Sequence, residues 1–131
     1  MPSKLINPEV LGAPSGYSHG VSVPAGQLLF IAGQIAVDKD NRIVSDDFVE
    51  QFDRALANVM VVLNAGGGRP EDVTRMVIYV TDKVEYRNHS REIGKRYQRY
   101  MGKHFPAMVL VQVVALLDDA AKVEIEAMAV I

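Results

Sequence analysis

The stretch KVEIEAMAVI, residues 122–131, decides how this chain is read. Written as an extended strand, it places Val123, Ile125, Ala127, Ala129 and Ile131 in one row and Glu124, Glu126, Met128 and Val130 in the other, because successive side chains point to opposite faces. The first row is small and apolar throughout, which suits packing beneath helices. The second is apolar apart from its two acids. A strand with two apolar faces belongs to a sheet covered on both sides, so the glutamates are expected to point towards a covering partner and not into open water.

Upstream segments supply the rest of that sheet. LLFIAGQIAV (28–37) and MVLVQVVAL (108–116) are also apolar on both faces, and VTRMVIYVTD (73–82) is rich in β-branched residues. SHGVSV (18–23), the turn PAGQ (24–27) and LLFIAGQIAV read as a hairpin. A further short strand is possible at Lys4 to Ile6, within an extended arm covering residues 1–17. From Asp46 the period changes. Phe48, Phe52, Ala55, Leu56, Val59, Met60 and Leu63 fall on one face of a helix, which the glycines at 66–68 end. A second helix is expected from about Tyr86 to Met101, with Tyr86, Ile93, Tyr97, Tyr100 and Met101 inward, until FPA (105–107) breaks it.

The order ββαβαββ gives an α+β domain spanning residues 1–131, with two helices on one face of a mixed sheet. Two helices cover one face only. The economical cover for the other is a second copy of the chain, so a homo-oligomer is expected.

Bulk composition agrees with a compact folded chain: 131 residues, 49% hydrophobic and 23% charged, supply enough apolar material for a core. No apolar run reaches the roughly 18 residues of a membrane span, and MPSKLINPEV lacks the basic-then-apolar build of a signal peptide. The expected compartment is the cytoplasm, with no membrane partner. The absence of cysteine excludes disulfides, thiolate ligands and a cysteine nucleophile, and a net charge of −2 gives no general drive towards nucleic acid. No spacing of His, Asp and Glu indicates a metal site.

A carboxylate drawn out of water has its pKa raised unless a cation or donor offsets the loss, and such a group can pass a proton. Glu124 and Glu126 are candidates on that ground. The alternative is that either one pairs across strands or reaches the rim. His19, beside Tyr17 in GYSHG, is a candidate general base or a packing residue. His89 and His104 are weaker candidates.

The ordered set GYSHG (16–20), IAGQIAV (31–37), ALANV with Asn58, NAGG (64–67), EDV (71–73), IYVTD (78–82), FPA (105–107) and VEIEAMAV (123–130) resembles the Rid family, also called YjgF or reactive intermediate deaminases. The resemblance runs through nearly the whole chain. It implies a chorismate-mutase-like fold and a homotrimer whose sheets form a central barrel, with clefts between subunits. It also implies hydrolysis of small enamines or imines, such as 2-aminoacrylate or 2-iminopropanoate, to a 2-keto acid and ammonia without metal or cofactor.

Position by position, the resemblance assigns the cleft tyrosine to Tyr17 and the water-orienting catalytic glutamate to Glu124, leaving Glu126 as a structural acid near the barrel interior. The family's serine before Gly-Gln is Ala32 here, and its carboxylate-clamping arginine is Met108. A thioether offers no donor to a carboxylate, so a cleft lined by Tyr17, Ala32, Met108 and Leu110 suits a larger, less polar ligand. Arg75 and Lys122 are the candidate replacement cations, or ordinary edge charges.

Two other readings stand beside the enzyme. One is a trimer that binds a small molecule or a partner without turnover. The other is a single-stranded-RNA ribonuclease, an activity described for some relatives. For it, Arg87, Arg91, Lys95, Arg99 and Lys103, with Arg96 nearby and Glu92 opposing, form a basic helical stripe. The stripe lacks aromatic stacking partners, which favours a solvated face.

Overall fold

The computed structural model describes residues 3–131, so the first two residues of the expected arm lie outside it. In chain order the elements are β1 (Lys4–Ile6), β2 (Gly20–Ser22), β3 (Leu28–Gln34), α1 (Phe48–Ala65), a 3-10 turn (Pro70–Asp72), β4 (Val73–Val80), α2 (Lys83–Asn88), α3 (Ser90–Met101), β5 (Ala107–Gln112) and β6 (Val123–Val130). Four strands form the main sheet in the order β3-β6-β4-β5, with β4 and β5 parallel and the other neighbours antiparallel. The fold is α+β with the helices on one face, as expected.

Local chemistry starts and stops the long helix. Asp47, in an extended conformation, accepts a hydrogen bond from the Glu50 amide at 3.0 Å, satisfying one of the free donors at the start of α1. At the other end Gly67 adopts φ +89°, a left-handed conformation that side chains other than glycine's resist. Between these ends, Phe48, Phe52, Ala55, Leu56, Val59 and Leu63 bury the face that the periodicity marked. They meet Ile31 of β3, Met76, Ile78 and Val80 of β4, and Val123, Ile125 and Ala129 of β6 in one core.

β6 is the clearest element. Burial alternates strictly along it, with Val123, Ile125, Ala127 and Ala129 buried against the helices and Glu124, Glu126, Met128 and Val130 half-buried on the far face. That far face is uncovered in the single chain, and it is apolar. Phe30 is 67% exposed, Leu28 56% and Val109 42%.

Three local expectations are corrected. β2 does not form a hairpin with β3. It pairs with β1, in a small sheet that sets Lys4 against Ser22, while β3 pairs with the last strand. The second helix begins earlier and is interrupted at His89, giving α2 and α3; Asp82 caps the first through the amides of Val84 and Glu85. The strand expected over 108–116 ends at Gln112, and its continuation is a loop in which Val114 and Leu117 stand free in solvent.

One fully buried polar residue lies on the apolar face of α1. Gln51 donates to the carbonyls of Ser45 and Ala120 at 2.9 Å each and accepts from the Lys122 amide at 2.8 Å. Its amide group therefore ties the start of β6 to the start of α1, and its own burial is compensated on both sides.

Candidate functional site

Glu124 occupies the helix-free face, opposite Tyr79 of β4 and against a bulge in β3. Pairing between β3 and β6 shifts register between Ile31 and Gln34, which leaves Ala32 and Gly33 as the irregular pair. The Glu124 side chain lies directly against that bulge: a Cβ built on Gly33 would stand 2.3 Å from its Oε2. A side chain at 33 would push the carboxylate out of this position. Asn58 of α1 fixes the chain beyond the bulge, its Nδ2 donating to the carbonyls of Ile35 and Val37 at 3.0 and 3.1 Å. Ala32, exposed in the same bulge, has a methyl side chain and no side-chain donor.

Glu126, two residues on, has a different environment. It accepts a hydrogen bond from the Tyr79 hydroxyl, and this bond, followed by partial burial, raises the pKa of that hydroxyl above its ordinary value. Its carboxylate thus already has a partner within the chain, in keeping with a structural acid. Arg75 is exposed on the same face and borders the same shallow hollow as Glu126.

The remaining candidates gather elsewhere. Met108 pairs in register with Met76 and Leu110 with Ile78, so both point to the helix side of the sheet, opposite Glu124. Tyr17 reaches them because the arm is fastened to the edge strand. The Ser18 amide donates to Pro106 O at 3.0 Å, and its hydroxyl to Phe105 O at 2.6 Å. Ser18 is buried, and it is a positioning residue that the sequence reading missed.

His19 secures the same arm. Its amide donates to Asn7 Oδ1 and its Nε2 lies 2.8 Å from Gly12 O; since a carbonyl only accepts, that nitrogen carries the proton. The imidazole meets the Tyr17 ring edge-on at 5.3 Å. The structure therefore gives His19 a clamping task, with one ring nitrogen committed.

Tyr17, Met108 and Leu110 line a hollow of about 300 Å³ together with Ser15, Gly16 and Tyr86. Its inner wall is shared with a second hollow of about 410 Å³ that runs between α3 and the sheet, bounded by Ile93, Gly94, Tyr97 and Phe105. Tyr97 stacks on Phe105 with centroids 5.4 Å apart and donates its hydroxyl to His104 O at 2.7 Å, so this wall is fixed. Burial alone raises the pKa of the Tyr86 hydroxyl.

Within one chain the candidates therefore form two groups on opposite faces of the sheet: Glu124, with Gly33 and Ala32 of the bulge, on one, and Tyr17, Met108 and Leu110 on the other. β5, which carries Met108 and Leu110, is an edge strand, whereas β6, which carries Glu124, is internal.

The charged candidates also sort. Lys122 is spent locally, its Nζ donating to Asp46 O at 2.6 Å, which corrects its candidacy as a replacement cation. In the basic stripe, Arg96 pairs with Glu50 at 2.7 Å and Asp53 at 3.0 Å, Arg99 reaches Asp53 at 3.5 Å, and Tyr100 donates to Asp53 at 2.5 Å. Its bonds to Glu50 and Asp53 raise the Arg96 pKa further, and with those of Arg99 and Tyr100 they lock α3 onto α1. Arg87, Arg91, Lys95 and Lys103 remain exposed. His89 Nδ1 and His104 Nε2 bond the carbonyls of Glu85 and Val73, both structural. Among the described residues no helix is long and apolar enough to cross a membrane, and no three His, Asp or Glu side chains converge as metal ligands would.

Comparison with known proteins gives a consistent result. A RutC family protein of Pyrococcus horikoshii is 37% identical over 109 residues, covering 82% of both chains. The 2-iminobutanoate/2-iminopropanoate deaminase of Salmonella typhimurium is 32% identical over 132 residues, covering 98% of each. Among solved structures, the Rid-family protein YyfB of Yersinia pestis, of unknown function, superposes with a TM-score of 0.89 at 33% identity over the whole of both chains. Residues 9–131 match the family described as Endoribonuclease L-PSP, and the chain accordingly belongs to that family, the Rid/YjgF/RutC superfamily.

Proposed function

We propose that this chain is a one-domain subunit of a homotrimer that hydrolyses an enamine or imine in clefts between subunits, with Glu124 as the residue that orients water. The observation that carries the reading is the placement of Glu124: a carboxylate held against the Gly33 bulge on an apolar sheet face that the chain's own helices leave bare. A neighbouring copy laid on that face would bring the hollow at Tyr17, Met108 and Leu110 opposite it, since that hollow opens beside the edge strand. The deaminase activity named for the Salmonella relative supports the reaction class.

In that cleft Glu124 would accept a proton from water as the oxygen bonds to the C=N carbon. The nitrogen takes that proton to complete the carbinolamine, whose hydroxyl proton then passes through the same carboxylate to the nitrogen as the C–N bond breaks, releasing ammonia and leaving a carbonyl. Met108, at the position the resemblance assigns to an arginine, removes a charge-assisted fork worth about 1.5–3 kcal/mol for an anionic group. A less polar substrate than a small 2-imino acid follows.

The purified protein should release ammonia from an imine above the spontaneous rate, and Glu124→Gln should reduce this to background; an unchanged rate in that variant removes the mechanism. Met108→Arg should improve turnover of 2-iminopropanoate. The thioether at 108 also favours a second reading, a trimer that binds a ligand without turnover, which binding in the absence of ammonia release would support. Pairing of Arg96 and Arg99 with acids of α1 weighs against the ribonuclease reading.

A further inference from the structure

We infer that the hollow behind Met108, between α3 and the sheet, is a side-chain pocket for the apolar body of a neutral imine, an aryl or branched alkyl group, and that Gly94 keeps it open. This inference rests on the proposed hydrolysis and names its substrate class.

Three independent features of the hollow agree. The first is charge. None of the residues lining the outer or the inner hollow is ionised near neutral pH; the walls are aromatic, aliphatic, serine, glycine and glutamine. A carboxylate moved there would lose its hydration and meet no cation, whereas a neutral apolar group loses nothing comparable. The second is hydrogen bonding. Of the five tyrosines, Tyr79, Tyr97 and Tyr100 spend their hydroxyls inside the chain. The hydroxyls of Tyr17 and Tyr86 have no such partner among the described residues, and both rings line the outer hollow. They are neutral donors, suited to an imine nitrogen or a carbonyl oxygen.

The third feature is Gly94. It sits inside α3, where glycine disfavours the helix relative to alanine. No turn requires it, and a Cβ built on it meets no heavy atom within 4 Å. Packing against the chain therefore does not demand its small size. The open space it leaves belongs to the inner hollow, between Ser90 and Gln98 on the same helix face. A side chain at 94 would fill the volume that the proposed ligand needs. Met108 borders both hollows, so a group entering past Tyr17 reaches the inner one over a flexible, polarisable thioether.

The test uses the full-length protein and two imines formed in situ: the neutral benzylic imine from benzylamine and an amine oxidase, and anionic 2-iminopropanoate from alanine and an amino-acid oxidase. Each consumes one water and yields one ammonia, with benzaldehyde or pyruvate as the carbonyl product. The benzylic imine should be preferred by about tenfold or more in kcat/KM. Gly94→Leu should lower its kcat/KM by about tenfold or more, while Gly94→Ala changes it little, in line with the cost of a few methylenes in an apolar pocket. Both substitutions favour the helix, so loss of fold is not the expected cause, and circular dichroism checks it.

Acetophenone, a stable neutral ketone, supplies a readout independent of turnover: it should shift the NMR resonances of residues around Gly94, and Gly94→Leu should abolish the shifts. Preference for 2-iminopropanoate, or acetophenone binding unaffected by Gly94→Leu, overturns the pocket. Gly94-dependent acetophenone binding without hydrolysis of either imine retains the pocket and removes the catalytic reading instead.

Discussion

The two faces of one sheet differ more than any two elements of this chain. On the helix side, Met76, Ile78, Val123, Ile125 and Ala129 are buried to completion by α1 and α3. On the other side, Phe30, Leu28 and Val109, equally apolar, remain 67%, 56% and 42% exposed. The same strands build both faces, so strand propensity does not separate them. What differs is the cover: one face is completed by this chain's helices, and the other is the face that the proposed trimer would bury. The sole acids of β6, Glu124 and Glu126, lie on the second of these faces.

The sharpest way to break the comparison is a matched pair of truncations. Phe52→Ala removes a ring that is almost wholly buried and should cost about 3–5 kcal/mol of stability by denaturant unfolding. Phe30→Ala removes the same ring from the bare face. In an isolated chain it should cost under about 0.5 kcal/mol. In the proposed trimer it should instead lower the assembly's size and make melting depend on protein concentration, read by light scattering and calorimetry. A large, concentration-independent loss for Phe30→Ala would show that the face is covered from within the chain.

A smaller effect is expected where the covered face is polar. Gln51→Ala leaves two carbonyls and one amide without their buried partner and should cost about 1–3 kcal/mol, again by denaturant unfolding. Gln51→Leu, which keeps the volume but not the bonds, should not restore it.

The smallest expected effect is a pH dependence confined to the helix side. Burial, then the bond to Asp53, pushes the Tyr100 hydroxyl up to about 12 from an ordinary 10.0. Folding therefore favours the protonated phenol. Its contribution is complete below pH 10, where the unfolded chain also keeps the proton, and is lost as pH rises towards about 12. Stability curves of the wild type and Tyr100→Phe should converge over that window. Parallel curves would show that the phenol's bond to Asp53 adds no pH-dependent stability.

Legibility in the sequence followed the strength of the local pattern. The two rows of β6 and the inward face of α1 were readable because small or bulky apolar residues recur at a fixed period and the polar positions between them keep phase. The β2 strand was readable as an extended segment, but Gly-Val-Ser carries no facial signature, so its partner was not: β1 took the place assigned to β3. The interruption at His89 leaves no mark on the periodicity, because Tyr86, Ile93 and Tyr97 stay in helical phase across it.

The candidate site shows the same limit more sharply. Glu124 and its bulge lay within quoted motifs, and the alternation of β6 set the acid's face. Met108 and Leu110 belong to a run apolar in both rows, so which row faced the helices needed the pairing with β4. Ser18, Gly33 and Gln51 act through contacts between distant parts of the chain, for which sequence periodicity holds no signal.

The division of the candidate residues between two faces has a consequence for genetics. If each cleft draws its acid from one subunit and its tyrosine from the next, two damaged alleles can repair one another. Coexpression of a Glu124→Gln chain with a Tyr17-defective chain in equal amounts would leave about a quarter of all clefts, one in each mixed trimer, with both intact halves. Two variants inactive alone would then recover activity together, a result that a site contained within one chain would not give.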